Sequence, residues 1–242
     1  MKKILSKFRK AIDEYSMVDD GDKIAIGLSG GKDSLMLVKC FSVLQKIYKG
    51  KFSVVAISID MFNGKTDYEQ IEQFCKDSEI PFYKVPTNIN EIVFDERKEK
   101  NPCSLCAKMR RGALINKAKE LGCTKLALGH NADDLIETFF LSMFYEGRLS
   151  TFSPVTILDK SNITVIRPLI LVDEKDIVYY SKNFPILKNE CLANHNTQRE
   201  YIKNMIQSIK KDIPCSRKLI HLAIIHPERY NLFDKINKKY DR

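Results

Sequence analysis

Nowhere does this sequence approach the roughly 20 consecutive apolar residues that a bilayer crossing requires, so no membrane-spanning segment and no membrane partner is expected. The opening MKKILSKFRK is followed by no small-residue cleavage site. Instead Ile4, Leu5, Phe8, Ile12 and Tyr15 recur at helical spacing, which reads as an amphipathic helix and not a signal peptide. A soluble, cytoplasmic chain is the expectation. An even cysteine count is also missing: there are seven, and with no export signal a disulfide framework gives way to metal or redox chemistry. Internal repeats and low-complexity linkers are absent. A second CxxC pair is absent too, and this bears on the metal question below.

What is present is enough for a sizeable core: 242 residues, 44% of them hydrophobic. Forty Lys and Arg against 31 Asp and Glu leave a formal charge of +9, which suits a polyanionic partner. From residue 196 onward 11 basic side chains face five acidic ones, a surplus consistent with nucleic-acid binding or with a solvated helical face. Between residues 23 and 130 short β-rich runs alternate with helical stretches. KIAIGL precedes a helix over 34–48, FSVVAISI one over 67–78, FYKV one over 105–121, and KLALGH one over 133–144. Thr66 and Glu69 have the spacing of a capping box for the second of these. A further strand, ITVIRPL, precedes a helix begun near Asp173. Continuous Val, Ile, Leu and Ala runs belong to parallel strands buried on both faces, so the pattern predicts a doubly wound, mostly parallel α/β sheet. The expected division is an N-terminal helix over 1–20, a nucleotide-binding domain over 21–185, and a basic helical extension over 186–242.

The densest information lies in IAIGLSGGKDSLMLV. In an open α/β sheet, ligands bind where a strand ends and the next helix points its free N–H groups outward. Ser29, Gly30, Gly31, Lys32, Asp33 and Ser34 occupy that junction. The glycines admit an anion close to the backbone, and Ser29 and Ser34 can donate hydroxyl hydrogen bonds. Neither GxxxxGK followed by Ser or Thr, nor GxGxxG, fits the spacing. SGGKDS does resemble the PP-loop of ATP pyrophosphatases, which cleave ATP between the α and β phosphates. Asp33 would repel phosphate unless a cation lay between them, which points to Mg²⁺. GHNADD at 129–134 ends the fourth strand run and opens a helix, so Gly129 allows close approach while Asp133 or Asp134 can face the same crevice. It resembles the GHxxDD signature of PP-loop enzymes acting on tRNA, with Asp134 nearest the metal or reacting phosphate. The residues expected to hold the nucleotide are Ser29, Gly30, Gly31, Lys32, Asp33, Ser34, Asp60, Arg110, Gly129 and Asp134.

Of the cysteines, Cys40, Cys75, Cys123 and Cys215 are expected to be packing or incidental. Cys103 and Cys106 form PCSLC, expected in a turn before a helix that carries Lys108, Arg110 and Arg111, an environment that favours thiolates. A redox disulfide, a zinc half-site and an iron–sulfur site compete. A thioredoxin-like pair should follow the first strand, and structural zinc normally takes four ligands. Cys191, 85 positions beyond Cys106 in FPILKNECLANHNTQRE, supplies a third thiolate. Three thiolates on a four-iron cluster leave one iron open to an exogenous sulfide. His195 could be a fourth ligand, though a polar surface role is expected of it.

Taken in order, SGGKDS, PCSLCAKMRRG, GHNADDLIETFFLSMFY, the RPL around Arg167 and FPILKNEC resemble the tRNA 2-thiocytidine biosynthesis family over residues 20–205. Asn131 and Asn194 stand where that family usually shows His and Cys. The resemblance implies a cytosolic homodimer that binds ATP, Mg²⁺, tRNA and a [4Fe-4S] cluster on Cys103, Cys106 and Cys191, with sulfur supplied by a cysteine desulfurase or free sulfide. It further implies adenylation of the C2 oxygen of cytidine 32 and replacement of that oxygen by sulfur, with Asp33, Asp134 and the three cysteines as catalytic residues. Thiolation of a uridine, a zinc-containing ligase of the lysidine synthetase type, and a non-catalytic ATP sensor are the other readings of the same motifs.

Overall fold

The computed structural model describes residues 1–48, 50–97, 102–159, 161–187 and 198–229. Six strands form one sheet in the order β3-β2-β1-β4-β6-β5. These are β1 (Lys23–Gly27), β2 (Ser53–Asp60), β3 (Phe82–Pro86), β4 (Lys125–Ala127), β5 (Val155–Leu158) and β6 (Ile163–Ile166). All neighbours run parallel except β5, which pairs antiparallel with β6. The doubly wound, mostly parallel α/β fold expected from the sequence is the fold observed. In β1, Ile24, Ala25 and Ile26 are fully buried, which is why the strand reads as an unbroken apolar run. The edge strand β5 was not anticipated. It is four residues long and leaves Ile157 70% exposed, without the fully buried run seen in β1 and β2.

The helices are α1 (Lys2–Glu14), α2 (Lys32–Ile47), α3 (Glu69–Asp77), the single turn α4 (Ile89–Glu91) running into a π-helical turn at Ile92–Glu96, and α5 (Pro102–Glu120). Then follow α6 (Ala132–Glu146), α7 (Glu174–Tyr180), α8 (Gln198–Asp212) and α9 (Ser216–Ile225). In α1 the buried residues are Ile4, Phe8, Ala11 and Ile12, the stripe that the helical spacing calls for, while Leu5 and Tyr15 are only partly covered. Phe8 meets Phe41 of α2 edge to face, with ring centroids 5.2 Å apart.

Two local expectations are corrected. Thr66 does not cap α3: its hydroxyl donates to Asp60 (2.8 Å), and the Asp67 carboxylate accepts the Glu69 N–H (2.9 Å) where the helix starts. The helix carrying the CxxC pair begins at Pro102, not Leu105, so Cys103 and Cys106 lie inside its first turns. Proline is at home at the first helical position, where its missing N–H is one that no intrahelical acceptor would have used.

The described residues fall into two compact units. The first comprises 1–133 and 152–194 and holds the sheet, whose core cluster includes Ala25, Val55, Ile57, Leu126 and Val165. The second comprises 134–151 and 195–242, and Ile136, Ile202 and Ile206 form its core with Phe140 and Ile220 packed on them. No described helix is long and apolar enough to cross a membrane.

At the amino ends of β1 and β4, Lys125 is nearly buried and pairs with Asp22 (2.7 Å) and Asp19 (2.6 Å). Burial alone would raise the Asp22 pKa, but Lys125, the Asp19 N–H and the Thr124 hydroxyl together hold it below the ordinary carboxylate value. A depressed folded pKa contributes stability above the unfolded value of about 3.9, and that contribution is lost as pH falls toward the folded value. Lys125→Met should cost about 2 kcal/mol at neutral pH by leaving Asp22 buried and unpaired. In thermal unfolding the gap between wild type and variant should narrow below about pH 4; a gap that stays constant with pH would contradict this account.

Candidate active site

The phosphate loop turns on Gly30, whose φ of +79° belongs to the left-handed region that glycine enters without steric cost. Ser29 donates its hydroxyl to Ser34 Oγ (3.2 Å), and Ser34 donates to the Gly31 carbonyl (2.9 Å). The loop is therefore cross-braced before any ligand arrives. α2 then opens at Lys32 with its first N–H groups free of helical acceptors, a ready anion cradle.

Lys32 does not project into solvent. Its ammonium meets Asp33 Oδ2 (2.8 Å) and Glu174 Oε1 (3.0 Å). Burial would lower its pKa, but the two carboxylates outweigh burial and raise it, so Lys32 is a fixed positive charge across the physiological range. The other Asp33 oxygen, Oδ1, accepts from the Asn131 side-chain N–H (3.0 Å). Asn131 is 2% exposed, and its amide oxygen accepts the Asp133 N–H (2.9 Å). Both ends of the amide are thus committed, which fixes Asp33 against the loop that follows β4. Asp133 in turn accepts the Glu174 N–H (2.6 Å) where α7 begins.

Gly129 explains how the two loops come so close. A Cβ placed there would stand 3.1 Å from the Asp33 carbonyl carbon and 3.1 Å from the Ser34 nitrogen. Leu187 closes over the loop from another direction, its N–H donating to the Gly30 carbonyl (3.0 Å).

Next to Ser29 lies a cavity of about 340 Å³. It is lined by residues at and just beyond the carboxyl ends of the strands, among them Gly27 and Ser29, Ile57 and Ile59, Leu126 and Leu128, and Val165 and Arg167. α5 roofs it with Ala107, Arg110, Arg111 and Leu114, spaced to share one helical face. Cys103 is exposed and Cys106 half-buried, one turn before those roof residues, with Cys106 Sγ 3.5 Å from Met61 Sδ. By contrast, burial raises the pKa of Cys75 to about 12 and pushes Cys40 and Cys123 up as well, so these thiols are inert packing.

The structure brings Ser29, Gly30, Gly31, Lys32, Asp33, Ser34 and Gly129 to one junction and Arg110 to the adjoining cavity. Asp60 is fully buried at the end of β2, where Oδ1 accepts from the Phe62 N–H (3.0 Å) and the Thr66 hydroxyl. Lys84 stands 3.4 Å from its Oδ2, an ion pair too long for a strong hydrogen bond. Asp134 belongs to the second unit, where Arg199 contacts it (3.4 Å) and Glu137 (2.9 Å). Cys191 and His195 lie outside the described residues. Among the described residues no three His, Cys, Asp or Glu side chains converge as a metal centre.

Residues 2–212 match the PP-loop domain family. A tRNA-cytidine(32) 2-sulfurtransferase from Pseudomonas aeruginosa is 36% identical over 241 residues, covering 96% of this chain and 88% of that protein. The chain belongs to the PP-loop tRNA-cytidine(32) 2-sulfurtransferase family. A second such protein, tRNA-cytidine(32) 2-sulfurtransferase 1 of Francisella tularensis, is 38% identical and covers 99% of this chain and 93% of its own. Among solved structures, the U34-tRNA thiolase NcsA from Methanococcus maripaludis with its [4Fe-4S] cluster superposes with a TM-score of 0.75 at 25% identity, over 98% of this chain and 82% of that one.

Within this PP-loop site the sequence understated Asn131, which stood out only as a departure from the family pattern. An Asn two residues before a helix-opening Asp is an Asx-turn signal, and that signal could have found it. Glu174 and Leu187 carried no local signal, because their roles come from contacts with a loop more than 140 residues earlier in the chain. Gly129→Ala should push the two loops apart and weaken ATP binding about tenfold or more, since overpacking here strikes backbone that cannot step aside. Asn131→Ala should weaken Mg²⁺-dependent ATP binding and, because it breaks two buried hydrogen bonds, lower the melting temperature as well. Isothermal titration with and without Mg²⁺ checks both, and unchanged affinity in Gly129→Ala would show that the loops need not touch.

Proposed function

We propose that this protein is an ATP-dependent tRNA sulfurtransferase that replaces the C2 oxygen of a cytidine, position 32 in the anticodon loop, with sulfur. The observation that carries the reading is that α5 bears a pair of accessible thiols at its start and, one turn on, roofs a cavity whose wall includes Ser29 of the phosphate loop. In this reading the thiols at the start of α5 and the phosphate loop flank the same cavity, and sulfur is delivered from one side and ATP from the other. The names of the Pseudomonas and Francisella relatives support the tRNA cytidine as substrate, and the cluster in the archaeal thiolase supports iron at the thiols.

The C2 oxygen is a poor leaving group. Attack by that oxygen on the α-phosphate of ATP breaks the bond to pyrophosphate and leaves the base adenylated; sulfide then adds at C2, and AMP departs with the oxygen. The loop N–H groups, the Ser29 and Ser34 hydroxyls and Lys32 stabilise the charge that builds on the departing pyrophosphate. Mg²⁺ belongs beside Asp33, whose carboxylate is held in place by Asn131 and Lys32 and can turn to a cation once ATP draws Lys32 away. Asp60 and Arg110 complete the nucleotide-binding set in this reading.

The donor chemistry at the thiols suits iron. Cys103 and Cys106 are one helical turn apart, close enough to bind two irons of one cluster, and Cys191 is to complete the set. Cys191 lies four positions after Leu187 in the sequence, and the Leu187 N–H is bonded to the Gly30 carbonyl of the phosphate loop. A [4Fe-4S] cluster held by three cysteines would supply an iron open to sulfide. The reading includes a cytoplasmic homodimer that takes its sulfur from free sulfide or a cysteine desulfurase.

Protein purified without oxygen should be brown, and Cys103→Ala should abolish both the colour and the conversion of tRNA cytidine to 2-thiocytidine, followed by mass analysis of tRNA nucleosides. Asp33→Ala should keep the colour and lose AMP release. Full activity in a colourless, zinc-loaded protein would refute the cluster, and 2-thiouridine as the product would move the substrate to a uridine.

A further inference from the structure

The far wall of the cavity carries chemistry that the phosphate loop does not account for. Among the described residues no carboxylate lines the cavity, yet Arg111 and Arg167 both do, beside Arg110. Arg167 is only 7% exposed. Its Nη1 donates to the Ser153 carbonyl (2.7 Å) and to the Thr156 hydroxyl (3.0 Å), and the group lies 5.2 Å from the centroid of Phe152. The Nε–H is buried with no partner. Among the described residues, neither arginine has a carboxylate within ion-pair distance. Burial, with the Arg111 charge as a second cause, lowers the Arg167 pKa to about 10. With Arg110, three arginines line one small space that no described carboxylate lines.

Such an arrangement is unfavourable until an anion completes it. Guanidinium groups match phosphate in a planar, bidentate way that ammonium groups do not. Beside the arginines, His130 stacks on Phe152 with ring centroids 4.9 Å apart, and Leu126, Leu128 and Val165 supply an apolar floor. A volume of about 340 Å³ is at the scale of small-ligand pockets.

We propose that Arg111 and Arg167 form a second phosphate clamp, separate from the phosphate loop, which holds the phosphate of a nucleotide whose base lies on the apolar cavity wall. This deepens the proposed function and rests on it for the presence of a nucleotide. The phosphate comes either from ATP or from the nucleotide of the RNA that enters the cavity.

The test uses the full chain and two probes, a non-hydrolysable ATP analogue and an anticodon stem-loop RNA, with thermal unfolding as a check on folding. Arg111→Gln should weaken one probe by about tenfold, the scale of a charge-assisted hydrogen bond. Arg167→Lys keeps the charge but loses the fork, so it should weaken the same probe, and Arg111→Lys should recover part of the loss. A loss confined to RNA, with the salt slope reduced by about one, places the target nucleotide's phosphate in the clamp. A loss confined to the analogue places ATP there. Unchanged binding of both probes in Arg111→Gln and Arg167→Lys, when wild type binds them, overturns the clamp alone. Failure of wild type to bind either probe removes the functional reading, and the clamp with it.

Discussion

The site depends on one close approach, that of Gly129 to the backbone of Asp33 and Ser34. Two strand-to-helix junctions from neighbouring parallel strands meet so closely that a Cβ at Gly129 would crowd the Asp33 and Ser34 backbone to 3.1 Å. The Asn131 side chain then ties the junctions together, because its amide can donate to Asp33 and accept from Asp133 at the same time. A carboxylate beside a phosphate cradle is thereby given one geometry before ligand binds, and preorganisation of this kind lowers the cost of binding.

Around that point the sheet and α5 divide the work. The carboxyl ends of the strands provide an apolar floor with a few polar positions, while α5 provides thiols at its start and arginines one turn later. The same element thus carries both the CxxC thiols and the cavity-lining arginines, and its start at Pro102 sets their spacing along one helix. Four other described cysteines play no part: Cys40, Cys75 and Cys123 are kept protonated by burial, and Cys215 is exposed at the start of α9. Burial, not residue type, separates inert thiols from available ones.

Much of this was legible in the sequence because it is written in short-range patterns. Unbroken apolar runs announced the parallel strands, and SGGKDS and GHNADD announced the junctions that follow two of them. The errors were also local. Thr66 offered a capping hydroxyl, but Asp60, buried at the end of β2, claimed it first. PCSLC read as a turn before the helix, yet Pro102 is at the first helical position and both cysteines lie within α5. β5 escaped notice because its four residues join β6 by an antiparallel pairing outside the strand–helix alternation that revealed the parallel strands.

By itself the sequence determined the strand–helix alternation, the phosphate loop and the pair of thiols, all of which follow from spacing along a few consecutive residues. Only the tertiary structure decided that Asn131 grips Asp33, that Glu174 holds Lys32, and that Arg167 turns into the cavity roofed by Arg111. Each of these joins residues far apart in the chain, and their distances are set by strand order and packing. No local periodicity encodes either.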